Sequence, residues 1–413
     1  MRAAARARSS RPSPPLEYNV LLTATLCLLA LGAVMVYSAS SARTLLEGEG
    51  DGTTYLVRYL VYGALGFVAL HVVARTPLDR VARVTGPLLA FSFVCLVLVK
   101  LPGVGVTVNG ARRWLGAGPL QFQPSEVAKL ALVLYSAEVL AQKAGRIRTP
   151  RSVSPLLLVT GVALLLVASQ PDLGTSLVIA STLTALLVAA GMPLRYLAAG
   201  AGIVAVLVLL YAISEPYRRA RLTTFLDPWQ HAGGAGFQAV QGQIAVGSGG
   251  LFGRGVGQSV QKIFYLPEAH TDFILAIIGE ELGVAGVFGV LLLYGMIAYA
   301  GLRVAKRAVG AYAKLLAAGV TSLILCQACL NLFTVLGLAP LTGVPLPFIS
   351  YGATNLTVLL AGMGLLLNVA AGGSARLRAV AGSPGRDAHD RHRRGRDRGA
   401  RGAGARGRRR AAG

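Results

Sequence analysis

The side chains best suited to chemistry gather where polar loops meet apolar runs. Asp272 lies in YLPEAHTDFILAIIGEELG, Tyr265 to Gly283, where a long polar loop gives way to an apolar helix. A carboxylate at such a boundary can meet a lipid-linked substrate and water together. An acidic residue in a first helical turn also suits the positive end of the helix dipole, so residue type and position leave both roles open. Arg112 and Arg113 stand in GVGVTVNGARRWLGAGPLQFQPSEVAK. Guanidinium groups pair bidentately with phosphate, but Arg beside Trp114 equally suits anchoring among lipid headgroups. Glu126 and Lys129 are three residues apart and share a helix face. Ionisable groups inside an apolar segment usually line a cavity, and the alternative here is a mutual structural pair. Asp172, in SQPDLGTS, can cap the helix that follows it. Glu280 and Glu281 point about 80° and about 180° around the helix from Asp272, so one is expected to line a cavity while the other pairs elsewhere. Gly279 and Gly283 have the small-xxx-small spacing that permits a close helix contact.

A membrane bundle must hold these groups. The chain has 413 residues, 54% of them hydrophobic, and its mean hydropathy is +0.60. The apolar residues are not dispersed; they form runs long enough to cross a hydrocarbon core roughly 30 Å thick. Spans are expected near residues 18–37, 55–74, 85–100, 124–141, 154–169, 174–190, 196–213, 272–299, 315–336 and 352–370. The first is longer than the apolar core of a signal peptide and reads as an uncleaved anchor. The net charge of +23 follows topology: 29 of the 40 Lys and Arg fall on segments read as cytoplasmic, a positive-inside bias. Both ends then lie inside, and the span count is even.

Residues 1–17 form a basic tail, and 214–271 form the longest polar stretch between spans. Phe225, Trp229, Phe237, Ile244, Leu251 and Phe252 in that stretch are expected to dock onto the bundle. A loop of this length with its own character is more often functional than a spacer. The Arg/Gly/Ala-rich segment 373–413 lacks a packable apolar face and is expected to be disordered, with its arginines free to hold anionic membrane lipid. Nucleic acid is not expected as a partner, because the body of the chain is membrane. Cys27, Cys95, Cys326 and Cys329 all fall in apolar segments and read as small helix residues.

On several long motifs in order, the sequence resembles the FtsW/RodA/SpoVE (SEDS) family across essentially all of residues 18–372. They are NGARRWLGAGPLQFQPSEVAKL, QPDLGTS, FLDPWQHAGGAGFQAVQGQIAVGSGGLFGRGVGQS, YLPEAHTDFILAIIGEELG and PLTGVPLPFISYG. The fourth is nearer the FtsW branch than RodA, which tends to carry PEQHTDF. The departure is SYGATN at Ser350 to Asn355, where the family usually has SYGGSS. The resemblance implies an all-α polytopic membrane fold of ten transmembrane helices, with a large extracellular loop between helices 7 and 8. It implies polymerisation of lipid II into peptidoglycan glycan strands at the division septum of the bacterial plasma membrane. By the same resemblance Asp272 is the catalytic carboxylate. Arg113 and Lys129, with Arg112, are candidates for the pyrophosphate, and Glu126, Asp172 and Glu268 are further cavity residues. No cofactor is required by the sequence; a divalent cation, Mg or Mn, can assist the leaving group, but no ligand cluster demands one. A class B penicillin-binding protein and other divisome proteins are the implied partners. A lipid II flippase, a non-catalytic divisome scaffold and a RodA-like elongation role are the alternatives.

Overall fold

The computed structural model describes residues 15–372, apart from 47, 49–50, 109–110, 118–119, 148, 214–223, 235 and 264. Most of residues 1–17 and all of 373–413, read above as the two basic tails, lie outside the described residues, as does 214–223 of the long loop. The chain is mostly helical. Helices α1 (Leu16–Leu46), α2 (Thr54–Arg75) and α3 (Leu78–Leu98) lead to a small sheet, β1 (Gly105–Val108), β2 (Ala111–Ala117) and β3 (Leu120–Phe122). There follow α4 (Pro124–Gln142), α5 (Ser154–Ala168), α6 (Leu173–Ala189), α7 (Leu194–Ile213) and α8 (Phe237–Ser248). The last three are α9 (Ile274–Arg307), α10 (Ala311–Val335) and α11 (Ala353–Ala370). Among the described residues, seven helices are long and apolar enough to cross a membrane, and two shorter apolar helices accompany them.

The middle of the bundle is built from α4, α10 and α11, which are buried along most of their length. The outer helices bury little of themselves. On α2 the buried residues are Tyr59, Gly66 and Leu70, while Val57, Leu60, Val61, Leu65, Val68 and Val72 are exposed. A helix apolar on its exposed face belongs in lipid. Small residues let α2 lie close along α11: a Cβ at Gly66 would sit 2.6 Å from Leu360 Cδ1, and one at Gly364 would sit 2.5 Å from Leu70 O. Proline opens α4 and α5, where its missing N–H is no loss.

Four expectations are corrected. The segment between α3 and α4 is an antiparallel sheet of order β1-β2-β3, so the fold is not purely α. The pairing runs Gly105 to Leu115 and Val106 to Trp114, slips at a bulge, and resumes with Thr107 to Arg112. Leu115 anchors the sheet by packing with Cys95 and Val99 of the bundle. In the long loop, Leu251, Phe252 and Trp229 do not dock; they are 69%, 84% and 59% exposed. Val240, Gly242 and Ala245 of α8 turn inward instead, with Gly242 against the Phe273 ring.

The third correction concerns Glu280 and Glu281, which do not divide between a cavity and a partner. Both are buried and both hold the loop. Glu280 accepts from Ser259 Oγ at 2.5 Å and Val260 N at 3.0 Å, and Glu281 takes Ser38 Oγ at 2.7 Å and Lys262 Nζ at 2.9 Å. Gly283 does not serve a helix–helix contact either. It interrupts α9 at φ 67°, where glycine alone is unstrained, and a Cβ there would lie 2.4 Å from Gly253 N.

Candidate active site

Asp272 stands two residues before α9, with Phe273 as the residue preceding the first helical turn. It is therefore outside the turn that the helix dipole favours. Its Oδ1 accepts from Thr271 Oγ1 at 3.1 Å, and the Thr271 hydroxyl also lies 3.3 Å from Glu268 Oε2. Glu268 itself has a left-handed backbone, φ 56°, a conformation that non-glycine residues hold only when the surroundings enforce it. Burial pushes the Asp272 carboxyl up to about 7; the Thr271 hydrogen bond opposes the rise, and the charge of Glu268 adds to it. The side chain nonetheless keeps part of its surface open. His270 is held neutral, its imidazole lowered to about 4 chiefly by burial. Its ring sits 4.3 Å from that of Tyr55 and 5.7 Å from that of Tyr351, and its carbonyl accepts from Tyr351 N at 3.0 Å.

The proline-rich loop between α10 and α11 closes over this turn. Asn331 Nδ2 donates to Asp272 O at 2.7 Å and to Val344 O at 2.8 Å. Gly343 of this loop, at φ 67°, lies beside the carboxylate, a Cβ built on it standing 3.9 Å from Asp272 Oδ2. The same loop rests on the start of α6, where a Cβ on Gly174 would meet Val344 Cγ2 at 2.4 Å.

Asp172 caps α6, accepting from Thr175 N at 3.1 Å, and its other oxygen takes Gln123 Nε2 at 3.1 Å. Arg113 donates to the carbonyls of Gln170 (3.0 Å) and Pro171, tying β2 to the turn that carries Asp172. Arg112, next to it at the bulge, is exposed. Thus Arg113, Asp172, the loop and Asp272 meet at one end of the bundle.

Glu126 and Lys129 pair at 2.9 Å, each only 2% exposed. Lys129 Nζ also donates to Gln327 Oε1 at 2.7 Å, and Gln327 Nε2 donates to Pro345 O at 2.9 Å and Asn355 Oδ1 at 3.0 Å. Beside Lys129 lies a cavity of about 10 Å³, lined in part by Ser136, Thr160 and Thr182. Apolar side chains, among them Leu132, Ile179 and Leu186, make up most of its wall. Among the described residues no group of three or more His, Cys, Asp or Glu is placed to hold a metal ion.

Sequence reasoning missed Gln123, His270, Gln327, Asn331 and Tyr351. The available signal was strongest for Gln327 and Asn331, polar residues one turn apart in an apolar run. The divergent SYGATN segment proves part of the wiring, for Thr354 Oγ1 accepts from Gln123 N at 3.0 Å and Asn355 takes Gln327.

Apolar helices that gather a raised carboxyl, a buried ion pair and a proline-rich loop at one end make this a multi-pass membrane protein with a polar site. The model of the cell cycle protein family FtsW/RodA/SpoVE matches residues 19–374, and the chain belongs to that family. It is 38% identical over 364 residues to a probable peptidoglycan glycosyltransferase FtsW of Geobacter sp. (strain M18), covering 88% of this chain and 98% of that one. It is 39% identical over 367 residues to stage V sporulation protein E of Bacillus subtilis (strain 168), covering 87% and 98%. A solved chain from a peptidoglycan synthase complex that coordinates polymerisation and crosslinking superposes with a TM-score of 0.69 at 32% identity, covering 85% of this chain and 96% of that one. The rod shape determining protein RodA of Thermus thermophilus gives 0.63 at 30%, covering 85% and 95%.

Proposed function

We propose that the chain is a peptidoglycan glycosyltransferase that polymerises lipid II into glycan strands for septal wall synthesis during cell division. The observation that carries this reading is Asp272: a partly open carboxylate just before α9, with its carboxyl raised to about 7. A general base works best when its pKa lies near the working pH. Asp272 removes the proton from the acceptor sugar hydroxyl as that oxygen attacks the donor's anomeric carbon. The bond to undecaprenyl pyrophosphate breaks with inversion, and its electrons leave with the pyrophosphate. Lys129 and Arg113 are the cations nearest this role. Each is already engaged, Lys129 by Glu126 and Arg113 by two carbonyls, so pyrophosphate must compete with those partners. An Mg or Mn ion, were one bound at the pyrophosphate, would assist departure by offsetting its developing charge.

Ten helices cross the membrane, with both termini cytoplasmic and the Asp272 end outside, where the septal wall is built. A class B penicillin-binding protein supplies transpeptidation beside it; the superposing chain belongs to a complex that joins polymerisation to crosslinking. The test is polymerisation of purified lipid II by the purified chain, with and without a transpeptidase-blocked penicillin-binding partner, comparing wild type with folded Asp272→Asn. Long strands from wild type and none from the variant are expected. Strands from both end the base assignment, and lipid II crossing vesicles without polymer replaces the transferase with a flippase.

A further inference from the structure

Two amides on α10 link the halves of the site. Gln327 and Asn331 are four residues apart, so they stack on one face of the helix, and neither is more than 1% exposed. Gln327 holds Lys129 with its oxygen and Pro345 O with its nitrogen, while Asn331 holds Val344 O and Asp272 O with its nitrogen. Val344 and Pro345 are consecutive, so a continuous ladder runs from Lys129 through the loop to the backbone of Asp272.

The orientation of Asn331 is fixed by its partners. Turning the amide over would set Oδ1 against two carbonyl oxygens. In the observed orientation Oδ1 is buried and has no partner among the described residues. The amide is thus placed for its two donors at the expense of its acceptor, which is the arrangement expected if holding Asp272 to the loop is its purpose.

We propose that Gln327 and Asn331 are positioning residues that tie Lys129 to Asp272 through residues 344–345, so that one amide ladder sets both cation and base. This rests on the reading of Asp272 as base. Neither amide touches the reacting atoms; each acts through the group it holds. Displacing a reacting group by about 1 Å can cost about 10²-fold in rate.

The test is lipid II polymerisation across pH 5 to 9 by the purified chain, with thermal unfolding measured on the same samples. Asn331→Asp keeps the shape but removes the amide donors and adds an acidic group beside the backbone carbonyl of Asp272. The expected result is a kcat loss of roughly 10- to 100-fold with KM changed less than about twofold, and a rising pH limb displaced upward. Asn331→Ser keeps one donor, and Gln327→Met keeps the volume while releasing Lys129; both should lower kcat in the same direction and carry the test should Asn331→Asp fail to fold. Their combination should cost less than the product of the two, as members of one network do. Folded variants with wild-type kcat and an unmoved pH limb overturn the ladder while leaving the base assignment intact. An active Asp272→Asn control removes the base assignment first, and the ladder with it.

Discussion

Opposed influences on one carboxyl make Asp272 testable by pH. A base must be ionised to work, so polymerisation should fall as pH drops through about 7, the value to which burial raises this group. Thr271→Ala removes a hydrogen bond that favours the charged form and should move that midpoint up; Glu268→Gln removes a neighbouring charge and should move it down. A shift of both in one direction would refute this account of the site. Stability should carry the opposite sign from activity. Because the folded carboxyl is raised above its ordinary value, the native state binds the extra proton and stability falls as pH rises from about 4 to about 7. Asp272→Asn should therefore unfold at a higher temperature than wild type at pH 8, by a few degrees, with the gap closing near pH 4. Lys129 gives a complementary case. Lys129→Met leaves the Glu126 carboxylate buried and alone, which costs about 3–5 kcal/mol, whereas Glu126→Gln with Lys129→Met should recover most of the lost thermal stability. Recovery of stability without recovery of polymerisation would place Lys129 in the chemistry rather than the scaffold.

Elements differ in how far the sequence announces them. The apolar helices were legible because each is a long run with loop residues at its ends. The small sheet was hidden by glycines, although Asn109-Gly110 between a β-branched run and ARRW is a hairpin signal of the kind that selects two-residue turns. Asp172 was legible as a cap because capping is a local event. The partners of Glu280 and Glu281 were not, since Ser38 is 243 residues from Glu281 in sequence, and no local pattern encodes such a pairing. What the two acids hold is a loop that docks through backbone: Arg254 N and Gly255 N each donate at 3.0 Å to the carbonyls of Glu280 and Glu281. Gly283 allows that docking by leaving the helix at φ 67°. Gly283→Ala places a Cβ in a region forbidden to L side chains and against Gly253 N, so residues 249–262 should detach. Hydrogen exchange should rise at Arg254 and Gly255 by tenfold or more while α10 stays protected; unchanged exchange at those two amides would show that the loop is held some other way.

For the whole molecule, the number of spans decides which face each loop meets. Seven helices cross a membrane by length and apolarity among the described residues. Two of the remaining three long elements fall short for separate reasons, since α4 carries Glu126, Lys129 and Glu138 and α6 has 17 residues; α7 is apolar along its 20 residues apart from Arg195. Yet α4 and α6 pack with α10 inside the bundle, where polar groups answer one another rather than lipid. Counting all ten, the basic segments fall on one side and the Asp272 end on the other. The two counts make opposite predictions at exposed loop positions. With Cys27, Cys95, Cys326 and Cys329 replaced, single cysteines at Asp51, Gly145, Val256 and Gly310 can be probed with a membrane-impermeant maleimide on intact cells. Ten spans with a cytoplasmic N-terminus place Asp51 and Val256 outside, labelled at once, and Gly145 and Gly310 inside, labelled only after permeabilisation. Seven spans from the same start would put Gly145 and Gly310 outside and Val256 inside. Labelling of Val256 on intact cells, with Gly145 protected, therefore supports the ten-span bundle and sets Asp272 on the face where a lipid-linked sugar meets the growing wall; the reverse pattern would place the carboxylate on the cytoplasmic side and remove the proposed reaction with it.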